Sequence, residues 1–240
     1  MKSLTLFRGI AVAEDMADEV VQNTKDNGLS WDERARWRFE TPDIQKVRSR
    51  IDSILSKDNP AYRDIYGETP HIGLCCCGDE DGGRFYAVEH NRTQEKTVSI
   101  LIKFKASIED VFVDHRDFLW SAFIRFDFQN IPLLDRQSVI LRKVYGNGVI
   151  RYIDRCRTEN FPGGNNIRVV MCHLAAFDEK LALDHYRNKK MLAGRYGTRF
   201  RSAFFVKTPV LSSSIEKCWI VGDSTWTESD IFANVYEDFR

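Results

Sequence analysis

The sequence predicts an α+β fold, a mixed and mainly antiparallel sheet core with flanking helices, on three observations. Runs at 4–10 and 98–104 alternate β-formers, the pattern of strands. A stripe of Ile44, Val47, Ile51, Ile54 and Leu55 recurs at helical spacing over 42–56. The 240 residues are 43% hydrophobic and include 16 Phe, 8 Tyr and 5 Trp, enough bulky material for a continuous core.

Taken in order, 4–10 reads as a short strand, and 12–26 as a helix with Val12, Met16 and Val20 inward, stopped at Asn27-Gly28. Thr41 caps the 42–56 helix, Pro42 takes its first position, and Asn59-Pro60 ends it. Residues 72–77 form an apolar strand, 78–83 an acidic, glycine-rich turn, and 84–90 a short helix with Phe85, Tyr86 and Val88 inward. Residues 98–104 are the strongest strand, followed by another at 110–114. From about 134 the pattern is helical, broken at Gly146-Asn147-Gly148, then helical again through Val149, Ile150, Ile153 and Cys156. A loop spans 161–166, a buried strand 167–174, and a helix with a basic tail 177–192. Strands near 203–206 and 218–221 close the chain. The expected organisation is a domain over 1–130 and an α/β extension over 131–240, packed as one globular unit.

Charge narrows the function classes. Thirty-five Lys and Arg balance thirty-five Asp and Glu, so no global field draws the chain to nucleic acid or an anionic membrane. No apolar run reaches the roughly 20 residues of a membrane span. The first residues are charged again at Arg8, unlike the apolar centre of a secretory signal, so the cytoplasm is the expected location. Cys75, Cys76, Cys77, Cys156, Cys172 and Cys218 are not spaced as a disulfide framework or a zinc site, which predicts reduced thiols and no metal. The phosphate loop, the dinucleotide glycine fingerprint, the nucleophile elbow and the H-E-x-x-H zinc motif are all absent.

Five short motifs carry chemistry. Arg8 lies inside an apolar strand, where an always-charged guanidinium is costly unless it grips a partner; phosphate or carboxylate suits its planar fork, and Gly9 leaves backbone room beside it. Ser30 and Trp31 follow the helix-ending Gly28, a hydroxyl for a ribose or amide and a flat ring for stacking. Tyr86 and His90, four apart, share a helix face beside the cysteine strand. Asp114 and Asp117 stand at a strand end, where a sheet holds loop acids rigidly. Arg195, Arg199 and Arg201, interleaved with Tyr196 and Phe200, form a basic cluster suited to a phosphate chain or a single-stranded nucleic acid.

The order of these motifs over 4–120 resembles the ADP-ribosyltransferase-like superfamily: Leu-Phe-Arg-Gly on a first strand, then Gly-Leu-Ser-Trp, then a strand, glycine and Tyr helix, then an acidic strand end. The resemblance implies that Arg8 holds the phosphates of NAD, that Ser30 or the Cys75–Cys77 strand supports the pocket, that Tyr86 stacks on nicotinamide, and that Asp114 or Asp117 stabilises the cation-like transition state. The family's last motif is usually Glu and its second usually Ser-x-Ser, where this chain has Asp and Cys. The function so implied is an NAD-dependent ADP-ribosyl transferase or NAD glycohydrolase, with NAD as substrate, an acceptor unspecified and no metal. The alternative is a non-catalytic module binding nucleic acid or protein through 187–201.

Overall fold

The computed structural model of the chain describes residues 2–30, 73–90, 96–114, 119, 123, 131–158, 165–188, 191–193, 199–201 and 203–222. The helix expected at 42–56 lies outside the described residues.

Among the described residues, six strands form one antiparallel sheet: β1 (Ser3–Ala13), β2 (Gly73–Cys77), β3 (Thr97–Ser107), β4 (Val111–Val113), β7 (Ala203–Lys207) and β8 (Ile215–Val221), in the order β4-β7-β2-β1-β3-β8. A separate two-stranded ribbon pairs β5 (Met191–Ala193) with β6 (Arg199–Arg201). The helices are α1 (Ala17–Asn27), α2 (Glu80–Phe85), α3 (Ile131–Tyr145), α4 (Ile150–Thr158), α5 (Asn165–Ala176) and α6 (Glu179–Asn188). The α+β class holds. Strands β7 and β8, from beyond residue 131, sit in the same sheet as β1–β4, β7 between β4 and β2.

Pleating sends alternate side chains to opposite faces. On one face Leu4, Leu6, Leu74, Ile100, Ile102, Phe104, Phe204 and Val206 are buried, and the helices meet them. Helix α1 covers the β8–β3 side: Ala17, Val20, Val21 and Thr24 recur at helical spacing and turn toward the sheet. Gly28, at φ 76°, ends α1, and its N–H bonds Thr24 O at 2.9 Å. Helices α3 to α6 cover the β4–β7 side. The join between α3 and α6 is polar and closed: His185 Nδ1 and Asn188 Nδ2 donate to Val144 O at 3.2 and 3.1 Å, serving a carbonyl in the last turn of α3. The His185 ring stacks between Tyr145 and Phe204, with centroids 4.7 and 5.1 Å away.

Among the described residues, a shorter helical segment covers part of the opposite face. Helix α2 and the π turn that continues it, Tyr86–His90, lie across β1 and β3. Ala87 and Val88 pack with Leu101, Phe7, Trp219 and Val221, and Ser99 Oγ donates to Ala87 O at 2.8 Å. Glycine makes this approach possible. A Cβ on Gly9 would overlap the Gly83 carbonyl and stand 2.5 Å from Ala87 N; one on Gly83 would be 2.7 Å from Leu101 Cδ1 and 2.9 Å from Phe7 Cβ. Farther along this face Lys103 and Lys105 meet Glu216 at 2.9 and 2.8 Å, where a bulge shifts β8 against β3.

Several expectations need correction. Residues 167–174 are not a strand but part of α5, because a continuous apolar run serves a buried helix as well as a buried strand. The acidic, glycine-rich stretch is not a turn followed by a helix from 84. Asp79 caps α2 by accepting Gly82 N–H at 2.9 Å, and the helix starts at Glu80 with both glycines inside it. The first strand runs on to Ala13, so Val12 belongs to β1 and not to the helix. The final helix ends at Asn188, and its expected tail from 191 becomes β5.

Two outcomes follow from this packing. Gly9→Ala should destabilise the protein by about 1–3 kcal/mol or more, as overpacking of backbone against backbone does, read as a fall in the urea midpoint. The second concerns pH. Burial lowers the pKa of His185 to about 4, with its bond to Val144 O acting against this. The unfolded chain, near 6.5, therefore takes up the proton first as pH falls. This contribution to stability is complete above about pH 6.5, is lost progressively down to about pH 4, and is worth about 3 kcal/mol in all. The stability difference between wild type and His185→Phe, measured from pH 7 to pH 4, should change by that amount in favour of the variant.

Candidate functional site

The site is built where the sheet is weakest. Strand β1 pairs with β3 along its whole length, from Ser3–Ser107 to Ala13–Thr97, and β2 pairs with β7 from Gly73–Lys207 to Cys77–Ala203. Between β1 and β2 the register holds one pair, Phe7 with Cys77. Among the described residues that is the register pair joining β1 to β2.

Arg8 is the next residue of β1. It shares a face with Leu6 and Ile10 and stands opposite Ile102. Its half-buried guanidinium donates from Nη1 to Cys75 O at 2.8 Å. The side chain thus supplies a bond that a regular ladder would have taken from backbone. A guanidinium has five N–H donors, and Cys75 O is its acceptor among the described residues.

Across β2 lies Cys76, whose thiol donates to Phe204 O at 3.6 Å. Burial pushes this thiol well above its ordinary pKa. Cys75 and Asp114 act in the same direction, and Arg8 acts against them. Arg8 and Asp114 therefore bear with opposite sign on one buried sulfur. Asp114 ends β4, is 4% exposed, and is anchored by its N–H to Ala203 O at 3.0 Å. Its position depends on β7: Ala203 pairs with Cys77 while its carbonyl holds Asp114.

The remaining predicted residues distribute as follows. Gly9 is buried, and its backbone room is filled by α2. Tyr86 opens the π turn, is half-buried, and meets Phe85 edge to face at 5.6 Å. It belongs to the helix on the face opposite Arg8, yet it adjoins Ala87, which seats on Gly9. His90 ends the same turn, and its side chain lies outside the described residues. Ser30 is exposed and follows the bridge between Leu29 and Val210, so it sits with the β7–β8 connection instead. Trp31, Asp117 and Arg195 lie outside the described residues. Arg199 and Arg201 occupy β6, opposite Ala193 and Met191, in a ribbon alongside α2.

The structure places Arg8 on the helical face of the sheet, the turn bearing Tyr86 on the other face over Gly9, and Asp114 just past β4, beyond β2 and β7 from Arg8. Sequence reasoning missed the role of β7. Residues 203–206 read as a strand, but nothing in their pattern marks Phe204 and Ala203 as the residues that hold Cys76 and Asp114.

All six cysteines are free thiols. Among the described residues no cluster of three or more His, Cys, Asp or Glu side chains has metal-binding geometry, and no helix is long and apolar enough to cross a membrane. Comparison with protein-family models, with curated proteins and with solved structures gave no match.

The burial of the thiols sets their reactivity. Burial pushes Cys156 up to about 12 and raises Cys172 well above the ordinary range, as it does Cys76. A thiolate is the reacting species. Brief iodoacetamide treatment at pH 8 should leave these three unmodified in the folded protein and label them after denaturation, as read by peptide mass spectrometry.

Proposed function

We propose that the chain cleaves the bond between nicotinamide and ribose in NAD and transfers ADP-ribose to an acceptor or, without one, to water. The observation that carries this reading is that one sheet holds Arg8, at the single register pair between β1 and β2, and the buried Asp114, just past β4. A fixed cation and a buried carboxylate held by one sheet are the two charges that the reaction needs.

Each residue has a definite part. The bond from Arg8 to Cys75 O fixes the plane of the guanidinium, and its other N–H groups serve the pyrophosphate of NAD. Tyr86, next to the Ala87–Gly9 contact, stacks on nicotinamide. The C1′–N bond then breaks, and its electron pair leaves with nicotinamide, cancelling the positive charge of the pyridinium. The cation that develops at C1′ is stabilised by Asp114, with Asp117 as the other candidate from the sequence. Low-dielectric surroundings strengthen that attraction, and a carboxylate held in advance needs no reorganisation. The acceptor, or water, adds at C1′ and gives up its proton to solvent.

The test is release of free nicotinamide from NAD by the purified protein, beside calorimetric NAD binding. Arg8→Lys keeps the charge and the reach to Cys75 O but loses the fork, so NAD binding should weaken by about tenfold or more, the equivalent of one charged hydrogen bond, with the fold intact. Asp114→Asn should lower turnover by about 10²–10³ and change affinity little, because its contact strengthens in the transition state. Absence of both NAD binding and nicotinamide release in the wild-type protein would overturn the proposal.

A further inference from the structure

Strand β8 ends the sheet, with β3 as its one neighbour among the described residues. Alternate N–H and C=O groups of such an edge point outward, where they can pair with another strand. The register is irregular near Glu216, but Lys217 to Val221 stay paired in step, from Lys103–Lys217 to Ser99–Val221. The two faces of this edge differ. On the helical face Ile220 stands opposite Ile100; Ile100 is fully buried and Ile220 is 45% exposed. On the other face Trp219 packs with Leu101 and Val221, and Lys217 Nζ lies over its ring at 4.3 Å. There β3 adds the half-buried Lys103 and the exposed Lys105, which share Glu216. Three cations thus meet one carboxylate, and the exposed Lys217 has no carboxylate partner among the described residues.

We infer that β8 accepts an extended segment of another protein as a further strand of the sheet, a segment in which acidic and apolar residues alternate. Backbone pairing along 217–221 supplies the affinity, and the two faces supply the choice of side chains. Successive residues of the added strand point to opposite faces. Acidic ones meet Lys217 and the surplus charge of Lys103 and Lys105; apolar ones cover Ile220. A second copy fits less well. A two-fold axis normal to the sheet keeps each face on its own side, so β8 against β8 gathers the lysines of both chains, and like charges repel. A nucleic acid would meet the lysines but leave the backbone edge and Ile220 unused. This docking is independent of the NAD reading.

The probe is a short fluorescein-labelled peptide of alternating glutamate and valine, titrated with the full chain and followed by anisotropy. It should bind, more weakly as salt rises, and hydrogen exchange should slow at 217–221 when it does. The same peptide methylated at every backbone nitrogen keeps its charges but loses its N–H donors, and should not bind. Nor should a peptide of alternating lysine and valine. Lys217→Glu should weaken binding about tenfold or more, by setting like charge against the acids. Ile220→Ser should weaken it about fivefold, the loss of about one buried methylene. Lys180→Ala, on α6, which packs on β4, should change nothing. Circular dichroism checks that the variants are folded. No binding of the acidic peptide, or equal binding of the lysine or methylated peptide, overturns the proposal. Tighter binding of oligothymidylate than of the peptide, lost in Lys217→Glu, overturns it in favour of nucleic acid. Dimerisation in analytical ultracentrifugation that Ile220→Ser abolishes overturns it in favour of a second copy.

Discussion

Between β1 and β2 the sheet is held by one register pair and one side chain. Phe7 meets Cys77, and past that point the guanidinium of Arg8 reaches the Cys75 carbonyl where a backbone N–H would ordinarily serve. A carbonyl removed from water gains from a donor, and Arg8 supplies one to the part-buried Cys75 carbonyl. The two ladders on either side do not slip to close the gap. Strand β1 is fixed to β3 over its full length, and β2 is fixed to β7 over its own. The opening is thus a product of two complete pairings meeting imperfectly, and a charged side chain occupies it.

The layers above and below follow the same line. On the helical face, α1 packs on β8 and β3, α5 and α6 pack on β4, α6 also meets Phe204 of β7, and α3 and α4 pack on these helices. The central strands lie between these two groups, and Arg8 is half-buried there although Leu6 and Ile102 beside it are fully buried. On the other face α2 comes down to backbone contact, through Gly9 and Gly83, over the residue next to Arg8.

Much of this fold was legible from residues. The strand at 98–104, the stop at Gly28, the break at Gly146 and the strands near 203–206 and 218–221 all stand where turn chemistry and alternation put them. The failures share a cause: each depends on what packs against the segment. Val170 to Ala175 would be apolar in a buried strand or a buried helix, and only the company of α4 and α6 makes α5 the answer. Gly82 and Gly83 argued for a turn by propensity, yet a helix that must lie on a sheet at backbone distance needs small residues on its underside. Arg8 and Asp114 were visible as odd charges in apolar settings. What lies between them, Cys76 with β7 behind it, was not, because strand order is a property of tertiary pairing that local pattern does not carry.

The insertion of β7 between β2 and β4 also ties the two halves of the chain into one sheet. Without β7, Asp114 would have no Ala203 carbonyl to hold its backbone, and Cys76 no Phe204 carbonyl for its thiol. The segment that supplies β7 also forms the β5–β6 ribbon just before it. A sheet strand at the centre of a core fixes its neighbours along the chain more tightly than any surface loop can, so the ribbon's place beside α2 and the site's place at the end of β4 are set by one pairing.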